Sequence, residues 1–217
     1  MSKKTKITKL RSHPGKAQPQ QLSEKDYQPI TERVLGLSKK LKSILFAGSG
    51  HGSLPITIPV NVAIQLAEKG KHCLLIDLDL RRDALSQVFE ISNEQMSQHL
   101  MPRAIKTHFS NLLIWPARHF IRTRMMNVIE VVGAAITKMD IVLINAPAFR
   151  TSPDRRHILA AAQACCIFSK NDAESDEMLK LLKTSECVSI GNIRIVPNLK
   201  SHPNDSTISE DISKANA

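Results

Sequence analysis

The chain has 217 residues, 42% of them hydrophobic and 23% charged, with four cysteines and a formal net charge of +10. That length and apolar content suffice for one substantial core with tails, so a single domain is expected. No apolar run reaches the roughly 18 residues needed to cross a bilayer, and the N-terminus MSKKTKITKLRSHPGK lacks the apolar middle of a secretory signal, which points to a cytoplasmic protein.

The charge is concentrated at the start. Residues 1–42 hold 11 Lys/Arg against 3 Asp/Glu, while residues 43–217 hold 19 against 17. Residues 1–40, with Pro14, Pro19 and Pro29 and almost no apolar side chain before Ile30, are expected to form a mostly disordered basic arm. Such an arm attracts an anionic membrane surface, an acidic partner or, less favoured here, nucleic acid, and it serves equally as a solubilising tail.

Short apolar runs then alternate with segments of helical spacing. Strands are expected at SILFAG (43–48), CLLIDL (73–78), NLLIWP (111–116), DIVLIN (140–145), ACCIFS (164–169) and NIRIVPN (192–198). Helices are expected over 60–69, 83–89, 93–100, 122–139, 154–163 and 173–183, with Asp83, Asn93 and Asp154 as N-caps and Gly70 as a stop. In the 122–139 segment, Met125, Met126, Val128, Ile129, Val132 and Ile136 form an apolar stripe that reads as core. The polar stretch 200–217 is expected to form a loose tail. Near-continuous apolar strands alternating with helices predict an α/β fold, a doubly wound and mainly parallel sheet with helices on both faces. Ligands of such sheets bind beyond the carboxyl ends of the strands.

None of the four cysteines, Cys73, Cys165, Cys166 and Cys187, forms a C-x-x-C pair, so neither zinc nor a disulfide framework is expected. Cys165 and Cys166 should face opposite sides of their strand as small hydrophobes.

Four segments carry a resemblance. AEKGKHCLLIDLDLRRDALSQVF, NLLIWPA, MDIVLINAPAF and RIVPNL, in this order, resemble the P-loop tyrosine kinases of bacterial capsule and exopolysaccharide systems, close relatives of the MinD/ParA ATPases. The resemblance runs from about Leu41 to Leu199, so residues 41–199 are expected to form a P-loop NTPase-like domain. It implies ATP and magnesium as cofactors, Asp77 and Asp79 as catalytic carboxylates, and Asn198 as a base-contacting residue.

The phosphate loop departs from the family pattern. In a working loop, backbone N–H groups cradle the phosphates, a lysine neutralises them and a Ser/Thr hydroxyl ligates magnesium. Aligned from Asn61, the stretch SGHGSLPITIP (49–59) places Leu54 at the second loop glycine, Pro55 at the lysine and Ile56 at the metal-binding hydroxyl. Gly50, Gly52 and Thr57 remain as vestigial nucleotide-binding positions. Pro55 and Pro59 should displace the helix start toward Pro59, with Thr57 as its cap. Asn145 stands where the resemblance implies a magnesium-positioning aspartate and brings no charge to a metal. No resident metal or nucleotide is therefore expected. Asp77 and Asp79 then read as strand-end carboxylates held by Arg81 or Arg82.

Other residues have a sharp and a plain reading. His51 would touch a phosphate or simply face solvent; Arg118, Arg122 and Arg124 would form an anion site or a solvated face; Arg150, Arg155 and Arg156 would meet an acidic partner or pair locally with Asp154. The family's tyrosine-rich tail is replaced by a single tyrosine, Tyr27, and TERVLGLSKK keeps Glu32 but has Leu35 and Ser38 where the resemblance implies oligomerisation arginines.

Three functions follow as expectations. The first is a catalytically degenerate homologue that regulates or scaffolds polysaccharide biosynthesis or export, peripheral at the inner membrane face, with a protein partner such as a membrane polysaccharide co-polymerase and the capacity to self-associate. The second is an active ATPase or tyrosine kinase with an atypical loop, Asp77 or Asp79 acting as base and Arg81 or a second subunit replacing the lysine. The third is a MinD/ParA-like positioning protein that associates with membrane or DNA.

Overall fold

The structure is a computed structural model and describes residues 24–50, 52–91, 104–118, 128–183, 185 and 187–194. Its elements in chain order are α1 (Glu24–Leu37), β1 (Ser43–Gly48), α2 (Thr57–Glu68), β2 (Cys73–Asp77), α3 (Ala84–Val88), β3 (Ile105–Lys106) and β4 (Leu112–Trp115), followed by α4 (Val128–Ile136), β5 (Ile141–Ala146), a 3-10 turn (Phe149–Thr151), α5 (Arg155–Ala160), β6 (Ala164–Ser169), α6 (Asp172–Lys183) and β7 (Val188–Arg194).

The strands form one sheet in the order β3-β4-β2-β5-β1-β6-β7. Every neighbouring pair is parallel except β3 with β4. Because successive strand residues point to opposite faces, the two faces collect different side chains. Ile44, Phe46, Leu75 and Leu143 pack with α1, α2 and α3, while Leu45, Leu74, Ile76 and Ile144 pack with α4, α5 and α6. Both faces are covered, which is why β1, β2, β5 and β6 are buried along their whole length. Cys165 and Cys166 fall on opposite faces, and burial pushes the Cys166 thiol up to about 12.

The folded body begins earlier than residue 41. Val34 of α1 is fully buried, and Thr31 Oγ1 lies 2.6 Å from Gln65 Oε1 of α2. The sequence hid this because α1 buries one narrow stripe, Tyr27, Ile30, Thr31, Val34 and Leu37, inside an otherwise polar segment. Strand β3 was missed because two residues carry no period. Gly70 ends α2 as expected, at φ +81 with its N–H bonded to Ala67 O. Val128 and Val132 are buried in the core, with Ile129 and Ile136 packed against it. Met125, Met126, the 93–100 helix, residues 1–23 of the arm and the 200–217 tail lie outside the described residues.

The sheet order turns back on itself around β1. From β1 the chain moves to β2 and β4, returns to insert β5 between β2 and β1, and continues on the other side with β6. The loops after β1, β2, β5 and β6 therefore converge at one edge. Gly48 makes that convergence tight: a side chain there would start 2.2 Å from the carbonyl oxygen of Pro147. Gly48→Ala is expected to cost about 1–3 kcal/mol of stability, read as a lower midpoint of urea unfolding. An unchanged midpoint would show that the β1 and β5 loops separate freely.

Candidate functional site

The loop after β1 is closed on itself. Ser49 N–H donates to Phe168 O (2.9 Å), Gly50 N–H donates to Ser53 Oγ (3.1 Å), and Ser53 N–H donates to Gly50 O (3.1 Å). Gly52 turns the chain at φ +79, in the left-handed region that glycine enters without strain. Leu54 is then fully buried within the core that α2 shares with the sheet. Where the resemblance places a glycine that lets backbone approach a phosphate, this chain drives a four-carbon side chain inward.

The start of α2 corrects an expectation. The helix begins at Thr57, two residues before Pro59, and Thr57 does not cap it. The cap position is Ile56, itself in the right-handed region and without a side-chain cap bond. The reason lies in the bonding of the first turn. Ile58 N–H reaches Pro55 O across three residues (3.1 Å) and Val60 N–H reaches Ile56 O (3.2 Å), so the donor that Pro59 lacks is not needed. Thr57 Oγ1 is buried with no hydrogen-bond partner. Gly50, Gly52 and Thr57 thus come together at the carboxyl end of β1, with the Gly50 N–H bonded inside the loop. His51 and Asn198 lie outside the described residues.

Beside this loop, Asp77 ends β2 and stands in register with Asn145 of β5. Asp77 is fully buried. Its Oδ1 accepts from Asn145 Nδ2 (2.8 Å) and from Asp79 N–H (2.9 Å), and its Oδ2 accepts from Leu85 N–H (3.3 Å). Burial pushes the Asp77 carboxyl above its ordinary value, against the pull of these three donors. Asp79, also buried, is ion-paired to Arg82 Nε. An arginine thus holds Asp79 as expected, whereas Asp77 is held by an amide and two backbone donors. Each Asp77 oxygen therefore accepts at least one hydrogen bond from within the protein.

Two expected N-caps act otherwise. Asp83 occupies the cap position of α3 at φ 46 without a side-chain cap bond, and its Oδ2 pairs with Arg118 Nε from the segment after β4. Asp154 precedes α5 without a cap bond, and its own N–H donates to Ser152 Oγ (3.2 Å). Arg122 and Arg124 lie outside the described residues.

A second network closes the site from the α6 side. Arg150 pairs with Glu177 (2.7 Å), not with nearby Asp154, and its Nε donates to Ser49 O (2.8 Å). Ser49 Oγ and Lys170 N–H both donate to Glu174 Oε2, at 2.5 and 3.2 Å, which holds that carboxyl below its usual range. Lys170 Nζ lies 3.6 Å from where a side chain on Gly52 would begin. The phosphate-loop position is thus bordered by two cations, Arg150 and Lys170, and two carboxylates, Glu174 and Glu177, held together in one network. Sequence reading missed Ser49, Lys170, Glu174 and Glu177, because the partners lie up to 125 residues apart and belong to no local motif.

The Asp77–Asn145 pair gives a direct test. Asn145→Asp would bring two carboxylates within hydrogen-bonding distance, raising their folded pKa values. The penalty is present at pH above those values and lost as both protonate. The variant should lose about 1–3 kcal/mol at neutral pH, and most of the loss should vanish near pH 4. Urea unfolding at both pH values checks this; an equal loss at both, or none at neutral pH, contradicts it.

Comparison with known proteins fits this architecture. The family model described as "ATPase MipZ" matches residues 42–179. The tyrosine-protein kinase YwqD of Bacillus subtilis (strain 168) is 28% identical over 78 residues, which cover 35% of this chain and 33% of that protein. The chain therefore matches about a third of this relative's length. Among solved structures, the kinase domain of Escherichia coli tyrosine kinase ETK superposes with a TM-score of 0.61 at 13% identity, covering 91% of this chain and 89% of that one. The septum site-determining protein MinD of Pyrococcus horikoshii OT3, complexed with Mg-ADP, gives 0.59 at 19% identity, covering 72% and 74%. These structures share the fold. With a doubly wound sheet, loops gathered at its carboxyl edge and the family match over most of the described body, the chain belongs to the MipZ ATPase family of the P-loop MinD/ParA superfamily and is related to bacterial tyrosine kinases.

Proposed function

We propose that this chain is a catalytically degenerate member of its family. It keeps the nucleotide-binding fold as a protein-interaction module that regulates or scaffolds polysaccharide biosynthesis or export. The observation that carries this reading is the Asp77–Asn145 pair: the carboxyl that would receive a proton or support a metal is buried and bonded to an amide where a second carboxylate would serve magnesium. Leu54 in the core, Pro55 in place of the lysine and Ile56 in place of the metal-binding hydroxyl support it from the loop side.

The residues present do not fit a magnesium–triphosphate group. Asn145 brings no charge to a metal, Pro55 and Ile56 supply neither the cation nor the hydroxyl of a working loop, and the Gly50 N–H is bonded within the loop. The partner in this reading is a protein, a membrane polysaccharide co-polymerase. The basic arm would hold the module at the anionic inner membrane face, in keeping with described helices that are neither long nor apolar enough to cross a bilayer. Likeness to tyrosine kinase domains favours this pathway.

One observation favours a second reading. The family match, with MinD's description as a septum site-determining protein, points to a positioning protein associated with membrane or DNA. That role requires a nucleotide cycle, so one titration separates the two. Isothermal titration with magnesium–ATP should give no binding tighter than about millimolar, and phosphate release should stay at background. Pro55→Lys should not recover either, because Leu54 and Asn145 remain. Micromolar binding with phosphate release would overturn the degenerate reading.

A further inference from the structure

The turn after β2 has a feature the degenerate site does not explain. Leu80 is 49% exposed and is the one large apolar side chain left exposed among the described residues. We propose that the turn Asp79–Asp83, with Leu80 at its tip and Arg81, Arg82 and Arg118 around it, docks an acidic segment of a partner protein that carries an apolar side chain. This surface deepens the reading of the chain as an interaction module and rests on it for its biological role.

Three observations carry the inference. First, the turn is fixed. Leu80 N–H donates to Leu78 O (3.0 Å), Arg82 N–H and Asp83 N–H donate to Asp79 O (3.3 and 3.1 Å), and Leu78 N–H is tied to Asn145 O (2.9 Å). The Asp79 N–H is held by buried Asp77 beneath. Leu80 is therefore presented by a rigid support, and ordering costs on binding are small.

Second, the arginines are positioned from below. Arg82 donates Nε–H to buried Asp79 and Arg118 is ion-paired with buried Asp83, while their side chains stay 47% and 49% exposed. Asp79 and Asp83 are only 7% and 6% exposed, so the surface of the turn presents the arginine side chains and not the carboxylates paired with them. Asp83 accepts a left-handed backbone, φ 46, in making this arrangement.

Third, the chemistry selects a protein over a nucleic acid. An apolar tip set among guanidinium groups matches a side chain flanked by carboxylates, the combination of buried anchor and charged rim found at protein interfaces. A phosphate backbone gains nothing from leucine, and neither the turn nor Arg118 supplies an aromatic ring for base stacking.

The test uses the full chain and fluorescence anisotropy with three labelled probes: a peptide of alternating glutamate and leucine, an all-glutamate peptide and an oligothymidylate. The glutamate–leucine peptide should bind more tightly than the all-glutamate peptide. Leu80→Ser should weaken it about tenfold and leave the all-glutamate peptide unchanged, whereas Arg81→Glu should weaken both by about tenfold. Leu80 is exposed, so the serine variant should keep the wild-type melting curve. Equal binding of the glutamate–leucine peptide by wild type and Leu80→Ser would overturn the proposal, as would an oligothymidylate that binds more tightly than the peptide and depends on Arg81. Failure here is separable from failure of the degenerate reading, because the nucleotide titration is unaffected by either variant's peptide result.

Discussion

A carboxyl group with no access to water must find its donors inside the protein, and Asp77 is such a group. The surrounding structure is arranged to supply them. The register of β2 on β5 brings Asn145 alongside, the turn after β2 folds Asp79 N–H back onto Oδ1, and the start of α3 offers Leu85 N–H to Oδ2. One buried group thus joins two central strands, a loop and a helix. With aspartate at 145, the same geometry would need a cation or a shared proton to hold two carboxylates together. The amide removes that requirement for Asp77, while Asn145 Oδ1 on its other side is buried with no hydrogen-bond partner.

The loop after β1 follows the same logic. A phosphate cradle leaves backbone N–H groups unpaired and directed at a ligand. Here Gly50 and Ser53 bond each other, Leu54 is part of the core, and Arg150, Lys170 and Glu174 hold Ser49 and its surroundings. The position is maintained by contacts that a ligand would otherwise provide. On the proposed reading, positions aligned with a phosphate loop serve cohesion here, and the outward side of the turn after β2 is the surface proposed to bind a partner.

Much of the fold was legible because both faces of the sheet are buried. Strands such as SILFAG and ACCIFS read as unbroken apolar runs, and the placement of Cys165 and Cys166 on opposite faces follows from strand geometry alone. The altered loop positions Leu54, Pro55 and Ile56 and the altered Asn145 were legible by alignment. What those residues do was not. That Leu54 enters the core, that Thr57 leaves its cap role to a bare Ile56, and that Arg150 chooses Glu177 over Asp154 depend on contacts between loops distant in sequence. Helix α1 was obscured by its polar composition, since only a narrow stripe faces α2.

The central claim is that internal donors, not a metal, satisfy the Asp77 carboxyl. The most direct measurement is the pH titration of the Asp77 carboxyl carbon by NMR, with and without millimolar magnesium. The account predicts a midpoint above the ordinary aspartate value, because burial outweighs the three donors, and no movement on adding magnesium. A midpoint that magnesium drives downward would contradict it.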